Sequence, residues 1–364
     1  MGGAELPRLG PDSAAWRAIA TMYNALVTAA IVSLVARRGS EIAREYVFRH
    51  FRRQHLEKFL GGLRKLGLTG QPHAVACALY HFHSNALGGV KTEFVRESDR
   101  KAWVRYPPPR WMWRGTAIAA IPHEVSAAML HGWHGHNGVS LGNPRLGFVC
   151  TGMTVDGMPG LEGYYLEHDR ALEPGERVRF AYGEETMPRF EPSAGPRLES
   201  ADWPQERVER TRRRYAMDYV RTMLPTMEEL LGAAAARTEL GRVARLVGLQ
   251  FYEEAAREMG LASSIGPGTS ASAASFAAWL QAMLAGQGEE VALEQMGGAF
   301  VLRVQRWRLA EDLGLRDLPG AFAAWNELWV GACLAHDRFL RLNTGHSVAN
   351  GVLSVCWKPE ALSH

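Results

Sequence analysis

"KTEFVRESDRKAWVRYP" (91–107) decides the fold. Its two ends are rich in β-branched and aromatic residues, and the charged run between them suits a turn, so the stretch predicts an antiparallel hairpin. The pattern returns at 289–307, "EEVALEQMGGAFVLRVQRW", where Gly297-Gly298 is a two-residue turn signal. A helix precedes each hairpin, ending in "YHFHSNALGG" (80–89) in one case and formed by "AASFAAWLQAMLAGQG" (273–288) in the other. A helix also follows each, over about 122–135 and over "AFAAWNELWVGACLAHDRFL" (321–340). Further out, each half opens with a long helical region, about 14–66 in the first and through "LGRVARLVGLQFYEEAAREMG" (240–260) in the second.

The order predicts an α+β protein built of two divergent copies of one unit, a helical region, a hairpin and a helix. The first copy is 1–183 and the second 207–364, with a Pro- and Gly-rich linker or wrapping loop, 184–206, between them. A lone hairpin is marginal, so the two are expected to join in a shared antiparallel sheet with helices packed on it. At an offset of about 200, His136-Asn137 falls on His336-Asp337, whereas His131 meets Gly331, His134 meets Leu334 and Cys150 meets Asn350. Ten of the 13 histidines lie in the first copy, so the site is expected there and the second copy is expected to be mainly structural.

Composition narrows the function classes. A net charge of +3 is well short of a nucleic-acid footprint, and the basic run at Arg210 and Arg212–Arg214 is flanked by acids and reads as a solvated helix face. Four widely spaced cysteines without a C-x-x-C pair fit a reducing, cytoplasmic setting. The apolar stretch 18–36 carries Thr21, Asn24, Thr28 and Ser33 and reads as a buried core helix, so no membrane partner is expected. There is no Gly-rich nucleotide loop and no nucleophile elbow, and the neighbours His346 and Ser347 do not make a base–nucleophile pair. A small-molecule substrate remains the expected partner, and a homo-oligomer stays open.

"LHGWHGHNG" (130–138) places His131, His134 and His136 at a helix end. On a continuous helix His131 and His134 share a face one turn apart, the spacing that can hold one zinc. His136 and Cys150, on the probable strand "RLGFVCTG", complete a candidate ligand set for a divalent metal, zinc for choice. Histidines also suit a helix C-terminus, where they bond free carbonyls, so a metal-free ligand site and a structural helix end stay open. His81 and His83 diverge on a helix, so one of them at most faces a site. Glu162, Glu167 and Asp169 are candidate general bases, and Arg105 and Trp111 are candidate substrate contacts.

Three short motifs resemble the L-2-amino-thiazoline-4-carboxylate hydrolase family and the related 4-vinyl reductase-type small-ligand domain. They are Arg105-Tyr106-Pro107 at the end of the strand pair, Asn143-Pro144-Arg145-Leu146 after the helix, and Gly175-Glu176-Arg177-Val178-Arg179-Phe180 on a final strand. Tyr106, Glu176 and Val178 stand where the family carries Cys, Asp and Cys. The resemblance implies an α+β ligand-binding fold and, in its hydrolase members, opening or desulfurisation of small sulfur-containing rings. With the family cysteines replaced, the histidines and Cys150 would supply a metal-based alternative. The leading expectation is thus a metal-dependent hydrolase, a thiohydantoin or thioamide desulfhydrase, attacking a C=N, C=S or amide carbon of a small anionic heterocycle. The alternatives are a non-enzymatic small-molecule sensor or carrier and a structural histidine cluster in a partner-binding protein.

Overall fold

Two 26-residue helices open the chain, α1 (Ser13–Arg38) and α2 (Ser40–Lys65). One residue parts them, Gly39, whose φ of 86° is open to glycine and strained for other residues. The same break recurs between α6 (Gln205–Leu231) and α7 (Ala233–Glu258), where Gly232 has φ 78°. The computed structural model describes residues 13–108, 120–198, 202–261, 267–296, 299–311, 313–315 and 317–362. Among them the chain divides into two units. The first is Ile31–Tyr215; the second joins α1 as far as Ala30 to the chain from Ala216 onward. The division therefore falls inside α6, not in the segment 184–206, and α1 is divided as well.

In the first unit, α3 (His73–Leu87) leads into β1 (Glu93–Arg96) and β2 (Lys101–Tyr106), the expected hairpin. Then come α4 (His123–Gly132), the single turn α5 (Asn137–Ser140), β3 (Leu146–Gly152), β4 (Leu161–Glu167) and β5 (Val178–Phe180). The strand order is β1-β2-β4-β3-β5, antiparallel except for β5, which runs parallel to β3. One face carries Trp103, Val149 and Tyr164, covered by Ala181 and Met187 with Phe190 packed alongside. The start of the segment 184–206 thus wraps its own sheet. The opposite face, with Ala102, Tyr106, Phe148 and Tyr165, is buried on the side where α3 packs against β2 and β4. α4 crosses α2 closely: a Cβ on Gly132 would stand 2.5 Å from the Phe48 carbonyl oxygen.

The second unit repeats the order with α8 (Ser270–Gln287), β6 (Val291–Met296), β7 (Ala299–Val304), α9 (Leu318–His336), β8 (Leu340–Ala349) and β9 (Val352–Ala361). Its strand order is β6-β7-β9-β8. Met296 pairs with Ala299, which leaves two residues for the turn; Gly297 and Gly298 themselves lie outside the described residues.

The fold is α+β, but the two hairpins do not share a sheet. Each is completed by a later strand pair of its own half: β2 bonds to β4 and β7 to β9. The nearby pair closes a shorter loop than the distant hairpin would, and it satisfies the same backbone groups. Ala14–Arg38 is long and apolar enough, by length and composition, to cross a membrane, and 61% of its apolar window is buried inside the protein. Ile19, Met22, Leu26 and Leu34 on this helix are almost fully buried, the pattern of a core helix.

Candidate functional site

The three histidines of 130–138 do not converge. α4 ends at Gly132 and the chain tightens into a 3-10 turn over His134–His136. The tighter turn resets the angle between side chains, so His131 and His134 part company. His131 stays half-buried on α4, its ring 5.9 Å from Phe180. His134 turns into the core, stacked on His81 of α3 at 4.3 Å with the planes 6° apart. Its Nε2 lies 3.4 Å from the Tyr106 hydroxyl. His136 lies at a third place, its Nδ1 2.9 Å from the His131 carbonyl oxygen and its ring 6.1 Å from Phe48.

Cys150 is buried on β3, where its thiol donates to the Gly152 carbonyl at 3.4 Å. Burial is the main cause that pushes this thiol up to about 12, so it is protonated at neutral pH. Among the described residues no three His, Cys, Asp or Glu side chains are placed to hold a metal ion. The expected set of His131, His134, His136 and Cys150 is therefore not assembled, and a zinc or other divalent metal has no ligand set there.

The carboxylates are engaged elsewhere. Glu162 lies 3.5 Å from Arg105 Nε, and its Oε1 accepts from the Thr151 hydroxyl at 3.1 Å and from the Met187 backbone N–H at 3.2 Å. Arg105 also pairs with Glu93 at 2.8 Å. Both follow the register of Trp103 and Tyr164, so they lie on the sheet face opposite His134. Glu167 pairs with Arg145 and accepts from Asn143 at 3.0 Å. Asp169 is exposed, and its bond to Arg100 holds its carboxyl below the usual range. These ion pairs give Glu162, Glu167 and Asp169 structural partners and bring none of them to the histidines. Trp111 lies outside the described residues.

What the structure does assemble is a buried polar cluster inside the first unit. His55 of α2, Cys77 and His81 of α3, Tyr106 of β2, Trp133, His134, Asn137 and Tyr165 of β4 are all buried. The Asn137 amide donates to the Tyr165 hydroxyl at 2.9 Å and stands beside both His55 and Cys77. His55 Nδ1 lies 2.7 Å from Arg52 Nη1. A guanidinium only donates, so Nδ1 accepts and the ring proton is assigned to Nε2. Burial, then the Arg52 charge, push His55 down to about 3. Burial also raises the Cys77 thiol, and it pushes His83 down to about 4.

Trp133 Nε1 is buried without a hydrogen-bond partner, whereas His55 Nε2 and Asn137 Oδ1 have no well-aligned hydrogen bond but lie within reach of each other. The His55 and Trp133 rings meet edge to face at 5.6 Å. Leaving such groups bare costs about 1–3 kcal/mol each. His81 does face the cluster while His83 packs beside Phe82, the divergence expected for that pair.

The sequence reading missed His55, and the signal was present. Ala43, Tyr46, Val47, His50, Phe51, Gln54, His55, Phe59 and Leu63 form the buried stripe of α2, so three polar residues fall on an otherwise apolar face.

In the second unit His336 and Asp337 are hydrogen-bonded, while the nearby Trp279 Nε1 is buried without a partner. His336 Nε2 donates to the Ser272 carbonyl at 3.0 Å, which leaves Nδ1 to accept from Tyr252. Asp337 accepts from the Gly268 N–H at 2.6 Å, the Ser272 hydroxyl at 2.7 Å and the Phe339 N–H at 2.9 Å. A separate cavity in this unit, lined by Tyr23, Phe322, Trp307, Trp325 and Trp329, has room for about one water molecule.

Comparison with protein-family models, with curated proteins and with solved structures finds no match for this chain. The likeness to the thiazoline hydrolases and the 4-vinyl reductase-type domain therefore rests on three short motifs alone.

Proposed function

We propose that the first unit binds a small uncharged molecule with an amide-like edge, a C=O or C=S beside an N–H, and holds it without hydrolysing it. The observation that carries this reading is the buried, partnerless Trp133 Nε1 beside a poorly aligned His55–Asn137 pair, two donors and one acceptor that a ligand could engage. A cyclic amide or thioamide presents the complementary acceptor and donor on one edge of a flat ring.

An anionic ligand fits less well. Arg105 is spent on Glu93 and Glu162 across the sheet, and the histidines with resolved shifts are held neutral. Hydrolysis by a metal-bound hydroxide has no ligand set among the described residues.

Calorimetry and thermal unfolding with hydantoin and 2-thiohydantoin test this. Binding should stabilise the protein by about 2.7 kcal/mol at a hundredfold excess over Kd, quench tryptophan fluorescence, and disappear in Asn137→Leu. Stabilisation by zinc or by a ring carboxylate, with none from the neutral rings, would instead restore the metallo-hydrolase.

We also propose that the two halves arose by duplication. Supporting this are the strand order shared by β1-β2-β4-β3 and β6-β7-β9-β8 and the glycine breaks at Gly39 and Gly232. His136-Asn137 and His336-Asp337 each come at the end of the helical segment after the first hairpin of their half and make polar contacts there. Superposing the halves should align these pairs; a register off by a whole helical turn would sink the idea.

A further inference from the structure

β8 is the outer strand of the second sheet and bonds to β9 along one edge only. The turn between them is Asn350-Gly351, with φ of 52° and 74°, the primed geometry of a two-residue hairpin. Such a turn makes Ala349 and Val352 a hydrogen-bonded pair. Alternation then points the N–H and C=O of Asn343, Gly345 and Ser347 at β9, and those of Leu342, Thr344, His346 and Val348 away from it. No strand among the described residues meets that second edge. In the first unit the corresponding strand, β3, has its edge filled by β5.

Edge strands are usually guarded by a lysine, a proline, a bulge or an inward charge. Between Leu342 and Ala349 there is no proline and no Lys, Arg, Asp or Glu, and the pairing with β9 runs without a bulge. Thr344, His346 and Val348 are exposed. β8 carries one charge, Arg341 at its start, and the uncharged stretch Leu342–Ala349 can meet its own copy without like-charge repulsion.

We propose that β8 pairs with β8 of a second copy of this chain, joining two four-stranded sheets across a two-fold axis. Two-fold symmetry makes that pairing antiparallel. The register that sets Thr344 against His346 and Leu342 against Val348 brings the outward-pointing residues of both strands opposite one another.

Sedimentation equilibrium of the full chain over two decades of concentration tests this. The unaltered protein should form a reversible dimer. His346→Pro removes an outward N–H and leaves the β9 ladder intact, so it should sediment as a monomer with an unchanged melting temperature. His346→Lys places two like charges diagonally across the two-fold axis and should weaken the dimer at least tenfold, less so in high salt. If His346→Pro perturbs folding, His346→Lys decides alone. A protein that stays monomeric throughout, or a dimer indifferent to the lysine, overturns the proposal.

Discussion

Acidification from pH 7 to pH 4 unfolds the first unit and leaves the second folded. His55 and His83 are held at about 3 and about 4 in the folded chain, chiefly by burial, against 6.5 for a free histidine. A lowered histidine favours the folded state while it is neutral. Its contribution is intact above pH 6.5 and is lost as pH falls toward the folded value, because the unfolded chain takes up the proton first. By pH 4 the loss is roughly 3 kcal/mol for each group, a large share of a typical domain's 5–15 kcal/mol. His131 and His136 are shifted the same way.

Glu289 in the second unit has the opposite sign. Burial raises its carboxyl to about 7 from 4.5. Its contribution is complete below pH 4.5 and is lost as pH rises to 7, about 3 kcal/mol in all. Asp337 is lowered, so it begins to cost stability only as pH drops through the ordinary aspartate range near 3.8. Among the described histidines of this unit, His336, lowered chiefly by burial, works against Glu289 on acidification. Hydrogen exchange resolved by peptide and corrected for intrinsic rate reads both units at once. At pH 4, α2 and α3 should have lost protection while α8 and β7 keep theirs. Glu289→Gln should flatten the second unit's dependence between pH 4.5 and 7. Uniform loss of protection across both units at pH 4 would show that these groups do not set the acid response.

Much of the scaffold was legible because it is locally determined. The alternating residues of 91–107 gave a hairpin, and the apolar periodicity of α8 and α9 gave helices in the expected places. The partners of the hairpins were not legible, since strand pairing depends on which distant edge is free. The candidate site failed for a specific reason. Placing His131 and His134 on one face assumed a continuous helix, and a break at Gly132 with a 3-10 turn after it separates them. Arg105 and Glu162 do lie close, but as each other's partners on the far face of the sheet. Charged residues in sequence announce that they need partners and do not say which.

Replacing Gly331 with alanine should destabilise the second unit by at least about 2 kcal/mol, even though alanine in a helix interior ordinarily gains about 1 kcal/mol over glycine. α7 and α9 cross backbone to backbone. A Cβ on Gly331 would collide with the Arg245 carbonyl oxygen, and one on Gly248 would collide with that of Leu328. Neither obstacle is the flexible end of a side chain, so relief requires the helices to move apart. That movement breaks packing along Ala244, Val247, Leu328 and Ala332, all buried. Overpacking of this kind costs about 1–3 kcal/mol and at times more. Gly61 of α2 is the control, for it is exposed and a methyl group added there would meet nothing within 4 Å. Gly61→Ala should therefore show the propensity gain alone. Urea unfolding of both variants separates the two effects. If Gly331→Ala gains stability as Gly61→Ala does, the α7–α9 crossing is loose enough to take a methyl group, and the glycine at this position has no packing reason to be there.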